Sequence, residues 1–156
     1  MPDRGLRYGR SVFATALFVA LVVAGWGFVS LLTETDVVAD PEVGPIVVPV
    51  SIAISALFVM FTLASPRWST TIARGMGALV GSSVVLALGA VAVQLAAVGI
   101  LQFVATGRLT ALVLVIAVQA PTLFTIVVIG AAFVSAVALG VLAAGTGRAS
   151  WPWEKN

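Results

Sequence analysis

The sequence predicts an all-α, polytopic membrane protein whose four transmembrane helices form a compact bundle with both termini on the cytoplasmic side. Three observations carry the prediction. Of 156 residues, 61% are hydrophobic and only 9% charged; the apolar residues gather in long uncharged stretches; and the charges fall between those stretches. Soluble domains are roughly 45–50% apolar and about 25% charged. A water-soluble fold of this size leaves much of its surface in water and needs charge there, so most of this chain is solvated by lipid.

The first stretch, residues 11–32, is uncharged, and its 22 residues reach roughly 33 Å as a helix, close to the hydrocarbon thickness. An acidic segment, 33–45, follows with Glu34, Asp36, Asp40 and Glu42, and with Pro41, Gly44 and Pro45 to halt a helix. The second stretch, 46–64, ends at Ser65-Pro66, where proline disfavours helical geometry in its predecessor. Residues 65–75, with Arg67, Trp68 and Arg74, read as a basic inner loop. The third stretch, 76–104, exceeds a single hydrocarbon crossing and implies tilt or a protruding end. After a break at Ala105 to Arg108, the last helix is expected at 120–145 with Pro121 in its first turn, where a missing donor is harmless. The connection 105–119 is partly apolar, and Leu109 to Gln119 is too short to span; it reads as interfacial, re-entrant or a kinked extension of the last helix.

Orientation follows from charge. With the N-terminus inside, Arg4, Arg7, Arg10, Arg67, Arg74, Arg148 and Lys155 are cytoplasmic and only Arg108 lies outside, the positive-inside pattern. A fifth crossing through Leu109 to Gln119 would send Arg148 and Lys155 outside and weaken that pattern. Tyr8, Trp68, Trp151 and Trp153 fall at the inner ends of the spans, where interfacial aromatics anchor helices. Trp26 lies within the first span and is expected to pack against a neighbour. The arginines before the first stretch could open a signal peptide, but an apolar run of 22 exceeds the ~7–15 residues of a signal core. An uncleaved helix in a multi-pass plasma-membrane protein is the reading.

Helices in lipid associate through small residues and interhelical hydrogen bonds. Candidates for close packing are Ala16, Ala20 and Ala24; Ser51 and Ser55; Gly77 and Gly81, expected on a buried face; Ser82, Gly89 and Ala96 at heptad spacing; and the row Ala132, Ala136, Gly140 and Ala144. Intramembrane polar candidates are Gln94, Gln102 and Gln119, suited to bonds between helices or, alternatively, to lining a polar pore. Serines and threonines can satisfy themselves on their own helix backbone.

Enzyme chemistry is poorly served. With no Cys and no His, thiol chemistry, disulfides, a lipoprotein anchor and the commonest general base and transition-metal ligand are absent. The four outer carboxylates lack the spacing of a calcium loop and read as a solvated segment, so no metal and no cofactor are expected. The net charge of +2 and the pI near 9.9 come from scattered clusters, not the contiguous face that nucleic acid requires. The size is similar to that of small four-helix multidrug transporters, but those carry a glutamate in the first helix, and Ser11 to Leu32 holds no carboxylate.

The segment VFATALFVALVVAGWGFVSLL (Val12 to Leu32), followed by TDVVAD (Thr35 to Asp40) and by Gly44-Pro45, resembles small uncharacterised four-helix membrane proteins of GC-rich Gram-positive bacteria, a domain of unknown function. The resemblance covers the first third of the chain and implies no catalytic residue. The expectation is a non-catalytic membrane component, a subunit, scaffold or regulator, partnered by the bilayer and by itself or another membrane protein. The alternative is a small transporter or channel for an uncharged or lipid-like cargo.

Overall fold

A computed structural model of the chain describes residues 3–34, 44–110, 113, 117 and 122–145. They form five principal helices and no strand: α1 (Asp3–Thr33), α2 (Gly44–Ala64), α3 (Pro66–Ala73), α4 (Met76–Thr106) and α5 (Leu123–Gly145). Four of these, all but α3, are long and apolar enough to cross a membrane. The acidic segment after Glu34, most of Leu109 to Gln119, Pro121, and the C-terminal tail with Trp151 and Trp153 lie outside the described residues.

Helicity outruns hydropathy at the first span. α1 starts at Asp3, eight residues before the uncharged stretch, because an arginine-bearing segment can continue a helix beyond the hydrocarbon. α1 ends at Thr33, whose hydroxyl donates to the Val29 carbonyl at 2.8 Å, and Glu34 turns the chain with φ 52. α2 tolerates Pro49 in its second turn, where the missing donor would have faced Pro45. α4 ends on Gly107 in the left-handed conformation, φ 67, with its N–H bonded to the Phe103 carbonyl at 2.7 Å, a glycine C-cap.

Residues 65–75 are not simply a loop. Pro66 opens the short helix α3, its fixed φ suited to a first helical position, and the Trp68 N–H bonds to the Ser65 carbonyl at 3.1 Å. Gly75, at φ 104 and ψ 179, then reverses the chain into α4 through a conformation open essentially to glycine alone.

α1 packs on α2 and α5, and α4 packs on α2 and α5, so the spanning helices close a ring in the order α1, α2, α4, α5. Contacts between late residues of one helix and early residues of the next show alternating directions: Trp26 meets Phe124, Gln94 meets Ser51, and Gly140 meets Leu79. The interior of α1 is the stripe Ser11, Ala14, Phe18, Val22 and Trp26, all buried and spaced by three or four as one helix face requires. It meets Val59 and Leu63 of α2, Leu86 and Ala90 of α4, and Val128, Ala132 and Ala136 of α5 in one apolar core.

Two of the small-residue rows face away from that core. Ala16, Ala20 and Ala24 are exposed in α1. Gly77 and Gly81 are exposed in α4, and a Cβ on either would meet nothing within 4 Å, so within the chain this face is not the buried one. The physical reason is phase: the buried stripe of α4 runs through Leu79, Ser83, Leu86, Ala90, Gln94 and Ala97, and Gly81 lies two residues, about 200°, from Leu79 and Ser83. Of the heptad-spaced trio, Ser82 and Gly89 are half-buried and Ala96 is exposed.

Candidate functional site: a buried polar cluster between α2 and α4

In a lipid-facing bundle the chemistry resides where polar groups are buried. Ser51 and Ser55 are four residues apart, hence on one face of α2, and both are fully buried. Gln94, in the middle of α4, is buried opposite them. Its Nε2 donates to Ser51 Oγ at 2.8 Å, while Ser55 Oγ donates to Gln94 Oε1. Ser51 passes its own proton to the Val48 carbonyl at 2.9 Å. The glutamine is thus gripped at both ends of its amide by two hydroxyls one helical turn apart.

The cluster holds no ionisable group, and its two interhelical bonds tie α4 to α2. Other buried serines are satisfied locally: Ser11 donates to the Tyr8 carbonyl, Ser83 to that of Leu79 and Ser135 to that of Ala131. Gln102 sits half-buried two turns beyond Gln94, and Gln119 lies outside the described residues. Among the described residues no group of three or more side chains could hold a metal ion.

A second polar link joins α1 to α5. Trp26 donates through Nε1 to the Phe124 carbonyl at 3.0 Å, and the two rings stand edge to face with centroids 6.3 Å apart, a favoured aromatic geometry.

Close approach occurs, among the described residues, at Gly25, Gly89 and Gly140. A Cβ on Gly25 would lie 2.5 Å from Val127 Cγ1, one on Gly89 2.8 Å from the end of the Phe58 ring, and one on Gly140 would run into Leu79 Cδ2. Ala132 and Ala136 are fully buried on the same face of α5 as Gly140. Gly25 carries no signal in the sequence, since it lies off the Ala16, Ala20, Ala24 row.

Trp68, expected at the membrane interface, is instead buried in the end of the bundle at 6% exposure. α3 folds back against α2, α4 and α5 and carries the ring inward. Its Nε1, like the Thr15 hydroxyl, is buried with no hydrogen-bond partner among the described residues.

Ringed connectivity, alternating directions and four helices long and apolar enough to cross a membrane define a multi-pass membrane protein built as a four-helix bundle. The model of a family of unknown function (DUF6121) matches residues 3–156, and the chain belongs to that family. No curated protein and no solved structure matches the chain.

Proposed function

We propose that this protein is a non-catalytic membrane component, a subunit, scaffold or regulator, that sits in the cell membrane with both termini cytoplasmic. The observation that carries the reading is the Ser51, Ser55 and Gln94 cluster. Each of its polar side-chain atoms makes a hydrogen bond within the cluster or to the Val48 carbonyl, which suits a lock between helices better than a site for a cargo. The spans themselves contain no Asp, Glu, Lys or Arg at mid-depth, where coupled transport places its ionisable groups. The seven-to-one distribution of basic residues supports the orientation.

Two experiments test it. Crosslinking in membranes and co-purification from mild detergent should recover a stable partner, either a second copy or another membrane protein; a lone monomer overturns the reading. In proteoliposomes the purified protein should carry no flux of uncharged or lipid-like solutes. Flux that disappears in Gln94→Leu establishes the transporter instead. For topology, single cysteines at Thr35, Ser69, Thr106 and Ser150 should label from outside, inside, outside and inside.

A further inference from the structure

Where α2 gives way to α3, the bundle opens. Pro66 breaks the helix after Ala64 and redirects the chain, and the adjacent stretch of α4 presents Gly81, which has no side chain to fill the gap. The result is a cavity of about 610 Å³ bounded by Phe58, Ser65, Arg67, Trp68, Gly81 and Val85 among others, within the ~300–1,000 Å³ of ordinary ligand sites. Its two ends differ chemically. Phe58, Gly81 and Val85 belong to spanning helices, with Gly81 and Val85 exposed on the outer face of α4, so this end opens into hydrocarbon. Arg67, on the α3 side of the lining, is exposed, with no carboxylate paired to it among the described residues. Gly81 lies five residues into α4, roughly 7.5 Å along the axis from the helix start, so the apolar part of the lining begins near the end of that span.

We infer that this groove is a phospholipid site that selects an anionic lipid, with the acyl chain against Phe58, Gly81 and Val85 and the phosphate against Arg67. A groove open to hydrocarbon fills with chain, because an empty one forfeits dispersion contacts on every wall. The cation at its mouth makes the headgroup the discriminating part, since each basic residue near the bilayer surface attracts anionic lipid. The Trp68 indole N–H, buried without an acceptor at the cavity wall, adds a donor that a headgroup or ester oxygen satisfies after a small rotation of the ring.

The test is native mass spectrometry of the full-length protein released from detergent with phosphatidylglycerol or with phosphatidylcholine of identical acyl chains. The wild type should retain phosphatidylglycerol about fivefold better, the effect of roughly one basic residue at a membrane surface. Arg67→Gln should erase the preference while leaving chain-dependent retention. Gly81→Phe, placed where a Cβ meets nothing within 4 Å, should lower retention of both lipids with the melting temperature unchanged; should that variant fold poorly, Val85→Trp on the same exposed wall replaces it. Glycerol phosphate at millimolar concentration should not displace the lipid. Equal retention of the two lipids by the wild type, a preference that survives Arg67→Gln, undiminished retention in the groove-filling variant, or displacement by glycerol phosphate each overturns the assignment.

Discussion

Gln94 Nε2 reaches Ser51 Oγ at 2.8 Å across 43 residues of chain, and the serine one turn on returns a bond to the same amide. Hydrogen bonds between membrane helices average about 0.6 kcal/mol and reach about 1.7. Gln94→Leu removes two such bonds and should therefore destabilise the bundle by about 1–3 kcal/mol in reversible unfolding from mixed micelles. Ser51→Ala combined with Gln94→Leu should cost less than the sum of the single changes, because each removes the same bond. Full additivity would show that the two side chains are not coupled.

The close glycines should separate from the open ones. Gly25→Ala drives a methyl into Val127 Cγ1, on a β-branched side chain whose rotamer is nearly fixed in a helix, and should cost about 1–3 kcal/mol as overpacking. Gly140→Ala presses on Leu79 and should cost less, since leucine has further rotamers. Gly81→Ala meets nothing and should be neutral or gain up to about 1 kcal/mol from helix propensity. Thermal melts of the three variants provide the ranking, and a melt of Gly81→Ala below that of Gly25→Ala contradicts it.

Trp26→Phe keeps a ring beside Phe124 but removes the only donor of that side chain. The expected loss is about 0.5–1.5 kcal/mol, the net worth of one hydrogen bond. Trp26→Ala should cost about 3–5 kcal/mol as a large core truncation. Similar losses for both would mean that the indole N–H, not the ring, dominates the contact.

Gly75→Ala places a Cβ on a backbone held at φ 104 and should cost about 1–3 kcal/mol. Because the strain falls at the reversal between α3 and α4, limited proteolysis near Arg74 should accelerate before the spanning helices melt. Unchanged cleavage with a lowered melting point would place the strain elsewhere.

The four crossings were legible because lipid imposes length and charge limits that a sequence displays directly. Packing faces were less so. Small residues recur in this chain at spacing four on several helix faces, so Ala16, Ala20 and Ala24 or Gly77 and Gly81 match a contact motif as well as Ala132, Ala136 and Gly140 do. Only the phase of the bulky interior stripe, Phe18 with Val22 or Leu79 with Leu86, tells them apart, and that phase emerges when all four helices are assembled. Gln94 stood out as a polar residue in lipid, but nothing local named Ser51 and Ser55 as its partners. The inward turn of Trp68 was hidden for a different reason: Pro66 reads as a breaker of the preceding helix, and equally begins the next one.

The ring of contacts also sets a schedule for biogenesis. α1 needs α5 as a neighbour, and the bond from Trp26 to Phe124 closes a loop of 98 residues. One flank of α1 therefore stays bare until α5 has been made. During that interval its unclaimed side, with Gly25 at its centre, is the surface most open to an insertase, a chaperone or a wrong partner.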